Sequence, residues 1–67
     1  MKLILLRKPS VMSDHEIVLA AWCKNDNHPE FVVWEYYVVD DLPIFIKGQY
    51  YFNNLSDALE AFIERKY

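Results

Sequence analysis

The sequence is poor in the residues that staple or punctuate a small protein. It holds one glycine, one cysteine, three prolines and two histidines in 67 residues. A lone cysteine, Cys23, excludes an internal disulfide, and with His15 and His28 at unrelated spacings it offers no zinc ligand set. A single glycine excludes a glycine-rich phosphate loop. No segment approaches the ~18 consecutive apolar residues of a membrane span. The opening MKLILLRKPS does not read as a signal peptide either. Its apolar run stops at Arg7-Lys8, short of the roughly 7–15 residues such a segment needs. The expectation is a cytoplasmic protein with a reduced thiol.

Positive charge is also scarce. Seven basic residues are scattered from Lys2 to Lys66, and the net charge is −3. Phosphate contacts dominate nucleic-acid affinity and call for a basic patch, so nucleic acid is a disfavoured partner.

Apolar and aromatic residues are abundant, at 54% and 16%. A chain of this length lies near the lower limit for one core, so residues 1–67 are expected to form a single domain. Such a domain packs densely or oligomerises.

KLILL (Lys2–Leu6) reads as a strand buried on both faces or lying between neighbours, and Arg7–Asp14 reads as a loop. HEIVLAAWC (His15–Cys23) reads as a strand and KNDNHP (Lys24–Pro29) as a turn. EFVVWEYYVV (Glu30–Val39) is β-branched and aromatic throughout, which suits a pleated surface. DDLP (Asp40–Pro43) turns the chain. IFIKGQYYF (Ile44–Phe52) returns as a strand in which Gly48 marks a bulge or bend.

Asn54 is placed to cap a closing helix, with Asp57 in its first turn where a carboxylate suits the dipole. Leu55, Ala58, Leu59, Phe62 and Ile63 form its apolar stripe. The fold class is therefore α+β, a four-stranded antiparallel meander with one C-terminal helix packed on one face, in the order β-β-β-β-α.

Alternation along each strand divides its side chains between two faces. Collecting the charge-free sets beneath the helix leaves Val18, Ala20, Trp22, Phe31, Val33, Tyr37, Val39, Phe45 and Tyr51 on the other face, interrupted by Glu16, Glu35, Lys47 and Gln49. A pair between Glu35 and Lys47 or Gln49 is expected across the strands. One helix of about 18 Å, at ~1.5 Å per residue, covers only one side of such a sheet. Contiguous apolar surface of this kind marks an interaction site, unless the N-terminal strand folds across it.

Other constellations are better explained by structure. In SDHE (Ser13–Glu16) neighbouring side chains point to opposite faces, so no triad assembles there. Cys23 and His28 flank a turn and could meet as a thiol–imidazole pair, but Cys23 falls in the set directed to the core. Asp26, His28 and Glu30 lie at the far end of a strand from Asp40-Asp41, about 30 Å away at ~3.3 Å per residue, so they cannot share a metal ion.

The ending GQYYFNNLSDALEAFIERKY resembles the close of many small bacterial and phage α+β proteins, where an aromatic strand leads into a capped helix. The expected function is that of a non-enzymatic interaction module, an accessory or inhibitory factor with no catalytic residue, metal or cofactor. It would present a bare sheet face or an edge strand to a protein partner or to a second copy of itself, as a homodimer, with no membrane partner. Trp22, Phe31, Val33, Glu35, Tyr37, Lys47 and Tyr51 are the candidate partner-binding residues, the aromatics as anchors and Glu35 and Lys47 setting orientation. The alternative is single-stranded nucleic acid stacked on the same aromatics.

Overall fold

The computed structural model describes residues 1–23 and 30–67. Four strands, β1 (Lys2–Pro9), β2 (Glu16–Trp22), β3 (Glu30–Val39) and β4 (Leu42–Tyr50), are followed by one helix, α1 (Leu55–Glu64). They form one sheet in the order β1-β2-β3-β4 with every neighbouring pair antiparallel. This is the expected β-β-β-β-α meander. The turn expected at residues 24–29, with Asp26 and His28, lies outside the described residues.

β3 has the bounds its composition indicates, and α1 begins where Asn54 caps it. The Asn54 side-chain oxygen accepts from the Asp57 backbone N–H at 3.0 Å. Three strands differ in extent. β1 runs on to Pro9 rather than ending at Leu6, β2 spans Glu16–Trp22 rather than His15–Cys23, and β4 begins at Leu42 and ends at Tyr50 rather than spanning Ile44–Phe52. The cause at β4 is the turn. Asp40 and Asp41 alone form a two-residue loop with φ of 51° and 64°, and Val39 pairs directly with Leu42. A loop with both central residues left-handed matches the twist of the strands it joins.

Two further expectations are corrected. β1 is an edge strand, with Leu3, Leu5 and Leu6 exposed rather than buried. The second correction concerns faces. Leu19 stands opposite Val33, and Ile17 opposite Glu35. Directly opposed residues share a face. The odd-numbered set of β3, including Glu35, therefore lies beneath the helix with Ile17 and Leu19. The charge-free even set, Val32, Trp34 and Tyr36, lies on the other side. The rule that placed the charge-free set beneath the helix fails because the Glu35 charge has partners there.

A bulge in β4 shifts its alternation as well. Ile46 opposes Glu35 and Gln49 opposes Val33, so three residues of β4 span two of β3. Tyr50 is thereby moved to the open face and Tyr51 to the helix side. Lys47, at the bulge, has φ 54°.

Beneath α1 the core consists of Ile17, Leu19, Val33, Ala58 and Phe62, with Phe31, Tyr51 and Ala61 packed against it. Each large side chain fully buried here stabilises the fold by about 1.5–3 kcal/mol relative to exposure. The helical stripe is narrower than its spacing indicates. Ala58 and Phe62 are buried, while Leu55, Leu59 and Ile63 remain exposed.

Candidate functional site

The face opposite the helix is not bare. Val18, Ala20, Val32 and Trp34 form a second buried cluster, with Ile4, Trp22, Tyr36 and Phe45 packed on it. Val18 is 0% and Trp34 only 3% exposed. Aromatic rings laid over small β-branched residues do the covering. Trp34 lies 5.4 Å from Trp22 and 4.9 Å from Phe45 between centroids, and Tyr36 lies 5.0 Å from Phe45.

Two cations from β1 complete the roof. The Lys2 ammonium sits 5.0 Å from the Phe45 ring, 5.3 Å from Trp22 and 5.9 Å from Trp34. The Arg7 guanidinium lies 5.9 Å from the Tyr36 ring and binds Glu16 at 2.6 Å. Long basic side chains lay their stems on apolar surface and keep their charge towards water. An edge strand can therefore cover a face without folding across it.

Of the seven candidate partner-binding residues, only Trp22 belongs to this open face. Phe31, Val33 and Tyr51 pack in or against the core under the helix, and Val33 is 0% exposed. Glu35, Tyr37 and Lys47 come together elsewhere on the helix side. The expected Glu35–Lys47 pair forms, with 3.3 Å between Lys47 Nζ and Glu35 Oε1.

His15 is the partner that the sequence did not indicate. Its Nδ1–H donates to Glu35 Oε2, and its ring stacks on Tyr37 at 4.1 Å with 9° between planes. The His15 hydrogen bond is the main reason the Glu35 carboxyl titrates below the ordinary carboxylate range; burial opposes it and Lys47 adds to it. The signal was the alternation itself, since His15 and Tyr37 fall next along the Ile17 and Glu35 rows. The cluster leaves His15 beside a cleft of about 300 Å³ that includes Arg7, Asp14 and Tyr36. A second cleft of about 460 Å³ lies between β4 and α1, and Arg65 crosses it. Arg65 Nη1 donates to the carbonyls of Lys47 at 2.7 Å and Val33 at 3.2 Å, fastening the helix end to the bulge.

Cys23 is half-buried and pairs through its backbone with Met1. His28, the imidazole that could have met this thiol, is outside the described residues. Among the described residues, no group of three or more His, Cys, Asp or Glu could hold a metal ion. No described helix is long and apolar enough to cross a membrane.

Exposed apolar residues occur at the β3–β4 hairpin (Val38, Val39, Leu42) and at Phe52, and a further group gathers along the β1 edge. A bulge between Ile4 and Leu6 sets Leu3 opposite Ala21 and Leu6 opposite Leu19, so both leucines emerge on the helix side. Leu55, Leu59 and Ile63 recur at four-residue spacing and form one row along α1. Ala61 and Arg65 face β4, which turns that row towards β1. There Lys8 Nζ donates to the Ile63 carbonyl at 3.1 Å. Among the described residues no strand pairs with the outer edge of β1. The opposite edge, β4, is interrupted by Pro43 and by its bulge.

The arrangement defines a small α+β protein built on an open antiparallel meander, a little over one helix thick at 16 Å in its shortest dimension. No protein-family model, curated protein or solved structure matches the chain.

Proposed function

We propose that the protein is a non-enzymatic interaction module that receives an extended segment of a partner protein along β1, in a reducing, cytoplasmic setting that keeps Cys23 a free thiol. The single observation that carries this reading is the coincidence at one edge of two features. These are the unpaired outer side of β1 and the exposed row Leu3, Leu6, Leu55, Leu59 and Ile63. Strand addition draws affinity from main-chain hydrogen bonds and specificity from alternate side chains. An added strand would set every second side chain against these leucines and the rest over the other face.

Charge complementarity selects the occupant. β1 carries Lys2, Arg7 and Lys8 and no acid. Two copies pairing edge to edge would bring like charges together, a device that natural edge strands use against self-association. The partner segment is therefore apolar on one face and acidic on the other. This moves the contact from the aromatic face to the edge and sets the homodimer aside. Single-stranded nucleic acid is set aside too. Strand binding needs a run of phosphate contacts, and the chain has a net charge of −3 with its basic residues scattered.

The test is selection of binders from a random library of extended peptides, with amide exchange on the complexes. The expected binders alternate apolar and acidic residues, slow exchange along β1, and are lost in Leu6→Asp. Binders that protect some other segment would overturn the reading. So would a stable dimer by light scattering that Leu59→Glu converts to monomer, because the second copy would then be the occupant.

A further inference from the structure

The Lys2 ammonium lies within 6 Å of three ring centroids at once, those of Phe45, Trp22 and Trp34. Rings from three different strands thus converge on one cation position. Among the described residues that ammonium has no carboxylate or carbonyl partner. On one side of it lie the negative faces of aromatic rings, which attract positive charge but accept N–H hydrogen bonds poorly, and on the other side is water.

A primary ammonium is a mismatched occupant for such a position. Its three N–H donors are strongly hydrated, and on an exposed side chain they stay turned to water, which holds the charge off the rings. A methylated ammonium has the same charge, fewer or no N–H donors, and methyl groups that fill apolar space. Desolvation costs it less while the attraction to the rings is retained. Lys2 is itself an exposed residue at the start of an edge strand, so its side chain can leave without disturbing the core.

We propose that Trp22, Trp34 and Phe45 form a binding site for methylated ammonium groups, in which Lys2 is a resident and displaceable cation. The shared ligand chemistry is a trimethylammonium head, carried by a free quaternary amine or by a trimethylated lysine in a polypeptide. The site is on the opposite side of the sheet from the leucine row and does not depend on the strand-addition reading.

Trp22 and Trp34 are the two tryptophans of the chain, so intrinsic fluorescence reports this site directly. The experiment titrates tetramethylammonium, choline and a trimethyllysine peptide into the protein and into Lys2→Ala at matched ionic strength. The neutral choline isostere 3,3-dimethylbutan-1-ol serves as control. A saturable change is expected for the cations, roughly two- to fivefold tighter in Lys2→Ala, the factor set by loss of one exposed cation–π competitor. Phe45→Leu, which keeps an apolar side chain, should weaken binding. A peptide that binds more tightly than choline assigns the ligand to a polypeptide, and the reverse assigns it to a free amine. Absence of a saturable change in Lys2→Ala would overturn the proposal, as would an equal response to the neutral isostere.

Discussion

Gly48 and Trp34 approach so closely that a Cβ on Gly48 would stand 2.8 Å from Trp34 Nε1. The same Cβ would meet the Tyr50 ring and hydroxyl at 2.8 Å. The one glycine of the chain is therefore needed for space at the β4 bulge, where the indole crosses the backbone. Its φ is not positive, so conformational freedom is not the reason.

Gly48→Ala should accordingly destabilise the protein by about 1–3 kcal/mol, the usual cost of forcing extra volume into a packed site. Chemical denaturation measures the loss. Near-ultraviolet circular dichroism should change with it, because Trp34 must shift to make room. An unchanged spectrum with unchanged stability would mean the indole does not rest on the bulge.

Acid should find Glu35. Its folded-state pKa is depressed, chiefly by the His15 hydrogen bond, below the 4.5 of an unperturbed glutamate. A depressed carboxylate contributes stability that is fully present above the unfolded pKa and is lost as pH falls through the folded value. Glu35→Gln should therefore show a shallower loss of stability than the natural chain on acidification below about pH 4.5. Parallel pH–stability curves would show that the pair with His15 and Lys47 contributes nothing.

The two sides of the helix should respond differently. Phe62→Ala empties part of the core and should cost about 3–5 kcal/mol. Ile63→Ser alters a side chain that is 65% exposed and should stay within about 0.5 kcal/mol. If the two losses were similar, the helix would be rotated about its axis from the position described.

Asn54→Ala removes the cap on the Asp57 amide and should cost about 1 kcal/mol, with Asn54→Ser retaining most of the stability. The measurement is the denaturation midpoint of each variant, read with the helical signal at 222 nm.

Local chemistry was legible in the sequence because it is decided by residues close together along the chain. Glu30–Val39 could only be a strand, Asn54 could only begin a helix, and the strand order follows from short connections. Even the β4 boundary was within reach, since a two-residue Asp40-Asp41 loop places Val39 against Leu42. What alternation could not decide was which side of β3 faced the helix. Parity is defined within one strand, and its relation to the next depends on register and bulges. Glu35 belongs beneath the helix only because His15, twenty residues before it, and Lys47, on the next strand, meet its carboxylate there. The open face is closed by rings from three strands, and Lys2 and Arg7 reach across from the edge to complete the cover. The sequence by itself determined the elements and their order. Contacts between side chains distant along the chain decided which apolar surface was covered and which was left open, because pairing a buried charge or roofing a ring requires partners that only the folded sheet brings together.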